Sequence, residues 1–330
     1  RGEKMKIAIL TYVEQEGGTE YDVVVEQVAE ALRAGGHEPS IAGVHADLGR
    51  LTELARSKPD LVFNLLETFA ENDSADVGIA GFLELAGLHY TGSGPGELFL
   101  SGDKGMAKKV LTFEGVACPN FAVFSRDAGL ETGGNLRLPL FVKPLRADAS
   151  IGIGADSLVR DSGAMMKRVT AIHEEVGDDA LAEEYIEGRE FYVGVLGNRE
   201  PEALPPIEMD FSGLPEGMPR VLDAKAKWQE GTPEYKGTKS ILADLPPELD
   251  ARLRKVAIDA YRALRLRDYG RIDLRLAETG EIYVLEANAN CYLESNSEFA
   301  TAAAAHGLDF PALVQKIVDL AQERRENGKR

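Results

Sequence analysis

Cysteine and positive charge are both scarce in this chain, and each shortage removes a class of function. The 330 residues include two cysteines, Cys118 and Cys291. They lie far apart and lack metal-ligand spacing, so they read as free thiols of a reducing compartment, not as a disulfide or zinc framework. Lysine and arginine number 37 against 55 acidic residues, a formal net charge of −18. A surface that negative repels nucleic acid and anionic membranes, so neither is an expected partner. A nucleotide is not excluded, because a few local lysines and a divalent ion suffice for one phosphate chain. Apolar runs long enough to span a bilayer are also missing. The first apolar stretch gives way at once to polar residues and reads as a buried strand, not a signal peptide. Arg1–Lys4 reads as an addition ahead of a start at Met5, and the expected location is the cytoplasm. The chain has neither internal repeats nor a low-complexity tract.

What is present is ordinary globular material, 44% hydrophobic and 28% charged. The length suggests two or three packed units. Met5–Tyr12 predicts a buried strand, and Thr19–Ala34 a helix with Val24, Val28, Ala31 and Leu32 on one stripe, stopped by Gly35-Gly36. A strand near Pro39–Ala42, a helix at Leu48–Ser57, a strand at Leu61–Leu65 and a helix at Val77–Ala86 follow. This alternation implies a small parallel sheet with helices on both faces, which binds ligands beyond the strands' C-terminal ends. The segments Glu16–Asp22 and Glu67–Asp76 occupy that place.

The glycine cluster Thr91–Gly96 reads as a boundary, after which the pattern becomes α+β. Helices are expected at Asp103–Glu114, Ala164–Val176, Pro247–Leu264 and Phe310–Gln322. Strands are expected at Phe121–Phe124, Leu140–Lys143, Leu181–Tyr185 and Glu190–Leu196. Residues 201–244 are rich in Pro, Gly and charge with little periodicity, and a loop of that length is usually functional, often a lid.

The segment Arg271–Asn288 reads as a hairpin. Ile272, Leu274 and Leu276 alternate with Arg271, Asp273 and Arg275 in its first strand. A two-residue loop at Thr279-Gly280 would set Asp273 opposite Glu286 and Arg271 opposite Asn288. Like charges facing each other across a ladder are destabilising, so two opposed carboxylates ask for a cation between them. With Asn288 they offer three oxygens and no His or Cys, which favours Mg²⁺ or Mn²⁺ over zinc. A plain exposed polar face is the competing reading.

Gly270-Arg271-Ile272-Asp273 followed by Leu285-Glu286-Ala287-Asn288 resembles the metal-site signature of ATP-grasp ligases, and specifically of D-alanine–D-alanine ligases. The resemblance runs from about Leu61 onward through Tyr90-Thr91-Gly92-Ser93, Asp103-Lys104, Phe141-Val142-Lys143-Pro144, Ser150–Ile153 and Glu183–Glu190. It implies an ATP-grasp fold preceded by a Rossmann-like parallel-sheet domain, with units at residues 1–96, 97–186 and 187–330, the last carrying the metal site and the mobile loop 201–244. It implies ATP as cosubstrate and two Mg²⁺ ions on Asp273, Glu286 and Asn288. Lys104 and Lys143 match phosphate-contacting lysines, as does Lys227 on the loop, with Lys225 as its alternative. Ser150 and Gly152 fall in the glycine-rich phosphate loop. Adenine falls to Glu183 and to the backbone of Glu184 and Ile186, and the ribose to Glu190. Arg271 would meet the charge of a tetrahedral intermediate, and Ser297 would help hold the second substrate. A homodimer is expected from the family alone.

The departures from the family gather at the amino-acid pocket. Asp22 stands where the family has a glutamate that receives an ammonium group, and Glu67-Thr68 where it has His-Gly. Ala149 replaces a serine, Trp228 a tyrosine, and Asn290-Cys291-Tyr292 a Ser-Pro-Gly run. The expectation is a ligase forming a peptide-like bond between an amino-acid carboxylate and an amine, on substrates other than two D-alanines, with preference for a cationic or differently placed amine. Three alternatives stay open: a true D-alanine–D-alanine ligase of cell-wall synthesis, a phosphotransferase that stops at the phosphorylated substrate, and a nucleotide-binding regulator.

Overall fold

The first apolar run becomes β1 (Lys6–Tyr12), with Ile7, Ile9 and Leu10 fully buried. In the computed structural model, which describes residues 4–70, 72, 75–127, 129–132, 135–147, 150–215, 220, 229 and 231–327, this strand is the centre of a small sheet. Its neighbours are β2 (Glu38–Val44) and β3 (Leu61–Asn64), all parallel in the order β2-β1-β3. Helix α1 (Val23–Ala34) starts later than its apolar spacing suggests. Asp22 is the reason: its carboxylate accepts from the Val24 N–H at 2.9 Å and fixes the first turn. Helices α2 (Leu48–Ser57) and α3 (Asp76–Leu85) complete this part.

The glycine cluster runs directly into a helix that composition did not announce, α4 (Pro95–Gly102). Pro95 opens it, and Glu97 reaches back to the Gly94 N–H at 3.0 Å. Helix α5 (Lys104–Phe113) follows after Asp103, whose carboxylate caps Met106 N–H at 2.9 Å.

The second sheet is antiparallel, in the order β5-β4-β8-β6-β7. Its strands are β4 (Phe121–Ser125), β5 (Gly129–Thr132), β6 (Leu140–Pro144), β7 (Leu158–Val159) and β8 (Ala180–Glu184), with helix α6 (Ser162–Ala171) before β8. Both β6 and β8 are buried along their whole length.

The third sheet has β9 (Gly188–Leu196) at its centre and the order β12-β11-β9-β13-β14, with β10 (Glu202–Ala203) also beside β9. Here the reading of 201–244 as one structureless loop is corrected. Strands β11 (Ile207–Asp210) and β12 (Lys239–Leu242) and the short helix α7 (Pro233–Gly237) lie within it. Only Ile207 and Met209 point inward from β11, too short a run to register as a period. Lys225, Lys227 and Trp228 lie outside the described residues.

Helix α8 (Pro247–Ala263) backs this sheet, β13 (Tyr269–Ala277) and β14 (Ile282–Ala289) form the hairpin, and α9 (Glu298–Ala305) and α10 (Phe310–Asn327) end the chain. Helix α10 packs on α1, so Val25, Val28 and Leu32 share one core with Leu313, Val314 and Ile317. Each such side chain contributes on the order of 1.5–3 kcal/mol through burial. Among the described residues no helix is long and apolar enough to cross a membrane.

The hairpin register is reached by an unexpected route. Near the turn Leu276 pairs with Ile282 and Arg275 with Tyr283, one residue away from the register a two-residue loop would give. A bulge opposite Asp273/Leu274 then inserts one residue in β14 and restores the offset. Asp273 faces Glu286, and Arg271 faces Asn288, as alternation predicts.

Candidate active site

The largest concentration of buried charge lies in a cavity between the second and third sheets. Its third-sheet wall is a cross-strand grid. From β9 across β13 to β14, one row reads Tyr192–Asp273–Glu286 and the next Gly194–Arg271–Asn288. Glu190 sits opposite Arg275 in the row toward the turn. Residues two apart on a strand share a face, so this geometry aims Glu190, Tyr192, Arg271, Asp273 and Arg275 into one space.

Arg271 holds the Asp273 carboxylate with both ends of its fork, Nε to Oδ1 at 2.7 Å and Nη2 to Oδ2 at 3.0 Å. The Tyr192 ring lies beneath the guanidinium, 4.3 Å from ring centroid to Cζ. Asn288 adds an Nδ2 bond to Asp273 Oδ2 at 3.2 Å. Burial nonetheless pushes the Asp273 carboxyl up to about 6, against the pull of Arg271 and with the nearby Glu286 and Glu190 adding to it. The same pairing, against burial, holds Arg271 firmly protonated. Arg275 pairs with Glu190 at 2.7 Å, both side chains nearly inaccessible.

The opposite wall brings lysines. Lys143 of β6 lies 2.8 Å from Glu183 Oε1, and Lys108 of α5 lies 2.8 Å from Glu183 Oε2. Burial raises the pKa of the wholly enclosed Glu183, but the two ammonium groups outweigh it and the net shift is downward. Lys104 at the start of α5 pairs with Glu286 at 3.2 Å and donates to the Ala147 carbonyl at 3.0 Å. Glu184 turns its carboxylate to Arg137, accepting from its backbone N–H at 2.8 Å and from Nε at 3.0 Å. Ile186 and Ser150 also line the space, Ser150 with φ of +63°.

Gly152 is close by but does not line the cavity. Its φ is +65°, its carbonyl accepts from Arg168, and a Cβ there would lie 2.8 Å from Pro144 Cγ and 2.9 Å from Val176 Cγ2. Glycine is therefore demanded by packing as well as by backbone angle.

A second cavity opens at the C-terminal ends of β1 and β3, walled on its other side by residues 290–293. Asp22 and Glu67 line it together with Glu14 and Glu20. Asp22, besides capping α1, accepts from the Tyr292 hydroxyl at 2.8 Å. Burial lifts the Cys291 thiol to about 12, so it is an inert wall group, not a nucleophile. The two cavities adjoin along the run from Asn288, which lines the first, to Asn290, which lines the second.

The structure thus gathers Lys104, Lys143, Ser150, Glu183, Glu184, Ile186, Glu190, Arg271, Asp273, Glu286 and Asn288 around one cavity, and Asp22 and Glu67 around its neighbour. Ser297 is in neither lining; its hydroxyl caps α9, accepting from the Ala300 N–H at 3.3 Å. Lys227 and Trp228 lie outside the described residues. Sequence reasoning passed over Lys108, Tyr192 and Arg275. The β9 alternation Glu190–Tyr192 and the β13 alternation Asp273–Arg275 were visible signals, but the pairing of β9 with β13 that joins them was not.

Comparison with known proteins places this geometry. The family model described as D-ala D-ala ligase C-terminus matches residues 109–319, well over half of the chain. The uncharacterized protein y4sG of Sinorhizobium fredii is 34% identical over 91% of this chain and 88% of its own length. A D-alanine–D-alanine ligase of Desulforudis audaxviator is 33% identical over 90% of this chain and 92% of its own. The crystal structure of the D-alanine–D-alanine ligase of Bacillus anthracis complexed with ATP superposes with a TM-score of 0.72 at 20% identity. That match covers 98% of this chain and 99% of the other, a shared fold over essentially the whole length.

Proposed function

The chain belongs to the D-alanine–D-alanine ligase family of ATP-grasp enzymes and is an ATP-dependent carboxylate–amine ligase, and on that premise we propose that it joins an amino-acid carboxylate to an amine through an acyl phosphate with magnesium at the β13–β14 face. The observation that carries this reading is the convergence of Lys104, Lys143, Arg271 and Arg275 on one cavity beside the oxygen row of Asp273, Glu286 and Asn288.

The donor set fits magnesium. Two carboxylates and one amide oxygen are hard ligands, and the remaining positions of an octahedral ion are ordinarily filled by water and substrate phosphate. Among the described residues no three His, Cys, Asp or Glu side chains gather around one point, which speaks against a dedicated all-protein cage. Bound there, the ion would neutralise phosphate charge.

The chain's own residues account for the remaining work. Lys104 and Lys143 hold the polyphosphate, and the loop beginning at Ser150 offers backbone N–H groups. An oxygen of the substrate carboxylate attacks the γ-phosphorus, the bond to the bridging oxygen breaks, and ADP leaves. The amine lone pair then attacks the acyl carbon, the carbon–oxygen bond to phosphate breaks, and the amine's surplus proton passes to solvent or to the departing phosphate. Arg271, oriented by the Tyr192 ring, donates to the oxygen that becomes negative in between.

The y4sG protein and the D-alanine–D-alanine ligase are almost equally similar to this chain, so identity alone does not choose the substrates. A cytoplasmic location and a homodimeric state belong to the same reading by family alone. The test is to incubate the protein with ATP, Mg²⁺ and pooled D- and L-amino acids, following phosphate release and new masses together, with Asp273→Ala alongside. Phosphate release with a condensed product, both lost in the variant, is the expected result. A phosphorylated product without condensation would replace the ligase reading by a phosphotransferase.

A further inference from the structure

The second cavity has an unusual charge balance. Glu14, Glu20, Asp22 and Glu67 line it, and among the described residues no lysine, arginine or histidine does. Among the described residues Glu14, Glu20 and Asp22 have no cation within ion-pair distance, whereas the neighbouring Glu16, outside the lining, has Arg50 at 3.3 Å. The carboxylates are exposed and stand at the rim.

The floor carries a different signal. Tyr269 is 1% exposed, and its hydroxyl has no hydrogen-bond partner among the described residues. Asn64 is 2% exposed; its Oδ1 accepts from the Leu66 N–H at 3.3 Å, and its Nδ2 has no partner among the described residues. Both line the cavity. Each presents an unpartnered polar end to the cavity, where a ligand can complete it. Both donate, so they suit a carboxylate or carbonyl oxygen. Tyr269 lies two residues before Arg271 on the same face of β13, roughly 7 Å along the strand. A carboxylate held over the floor is therefore directed toward the phosphate-binding cavity.

Resting on the ligase reading above, we propose that this cavity binds an amino acid carrying a second cationic amine, a diamino acid of the lysine or ornithine kind, as the substrate whose carboxylate is activated. One ammonium group needs one carboxylate, and Glu14, Glu20 and Asp22 around a single charge would repel one another. Among the described residues no three of these side chains close around one point, which leaves room for two separated ammonium groups. The floor meets the carboxylate, the rim meets the amines.

The experiment is calorimetric titration of the full chain, loaded with Mg²⁺ and a non-hydrolysable ATP analogue, with D- and L-lysine, ornithine and the neutral isostere norleucine. One enantiomer of a diamino acid is expected to bind about tenfold tighter than norleucine. Added salt should shrink that preference, and Glu20→Gln should lower it about fivefold while leaving the melting temperature unchanged. Norleucine or alanine binding as tightly as every diamino acid would overturn the proposal, and so would a preference indifferent to Glu20→Gln. Turnover on the same preparation separates the two claims. Condensation of D-alanine with no diamino-acid preference leaves the ligase and removes the inference; tight lysine binding with no phosphate release from any substrate removes the ligase reading instead.

Discussion

Around the first cavity each enclosed carboxylate is answered by a cation: Glu183 by Lys108 and Lys143, Glu184 by Arg137, Glu190 by Arg275, Asp273 by Arg271, Glu286 by Lys104. Around the second, Glu14, Glu20 and Asp22 stand without one among the described residues. A site for a polyphosphate must hold several positive charges in place before the ligand arrives. Keeping them against carboxylates limits the cost of burying them, and the pairs can be redistributed when phosphates arrive. Among its described lining residues the second cavity holds no such reserve, which is the basis for proposing a cationic ligand there.

The largest effect should come from breaking the first arrangement at its most enclosed member. Glu183→Gln leaves Lys108 and Lys143 buried beside a neutral amide and should cost about 3–5 kcal/mol of stability at neutral pH, read by denaturant unfolding. The pH dependence has a definite sign. Burial alone would raise the Glu183 pKa, but the two lysines lower it in the folded chain. A group with a depressed folded pKa stabilises fully above its unfolded value, near 4.5, and loses that contribution as pH falls through the lower folded value. Acid should therefore destabilise the wild type more steeply than Glu183→Gln. Equal slopes would mean that the charge of Glu183 is not what holds the two lysines.

Next in size is Arg271→Ala, which should reduce turnover about 10²–10³-fold while affinity for an ATP analogue changes far less. Arg271→Lys should recover little, since an ammonium cannot reproduce the fork on Asp273 or the stacking over Tyr192. A proportional loss of nucleotide affinity would instead make Arg271 a ground-state binder.

The hairpin explains which parts of this site were legible in the sequence. Alternation in Arg271–Leu276 is strict because one face is core, and it put Arg271 and Asp273 on the other. The opposition of Asp273 and Glu286 was deduced from a two-residue turn that the chain does not make; the longer turn and the β14 bulge offset each other. Face assignment follows from burial and is robust, whereas register depends on turn geometry and here came out right by compensation. The residues missed, Lys108, Tyr192 and Arg275, matter through partners in distant segments. Lys108 looks like a solvated helix lysine until α5 is laid against β8. Strand β11 stayed hidden because two inward residues make no period. Ser297, a substrate contact by resemblance, accepts from the Ala300 N–H in the first turn of α9, and its hydroxyl proton stays available to donate.

A smaller effect tests whether the loop over the first cavity is held by packing. Gly152→Ala places a methyl against Pro144 and Val176 at a positive φ, at a cost of about 2 kcal/mol. The measurement is the melting temperature together with nucleotide affinity. An unperturbed variant would mean that the loop yields freely there.

The smallest effect bears most directly on the contrast between the cavities, because Asp22 does two things. Its carboxylate caps α1 and accepts from Tyr292, and its charge contributes to the acidic rim. Asparagine caps a helix about as well as aspartate and still offers an oxygen to Tyr292, so Asp22→Asn removes charge and little else. Asp22→Ala removes cap and charge together and should cost about 1 kcal/mol of stability. The expected pattern is that Asp22→Asn melts like the wild type yet binds a diamino acid about fivefold more weakly, with norleucine little affected, whereas Asp22→Ala loses on both measures. If Asp22→Asn leaves diamino-acid binding intact, the rim charge is not felt by the ligand. The difference between the cavities would then lie in their shape and hydrogen bonding, with Tyr269 and Asn64 carrying the recognition.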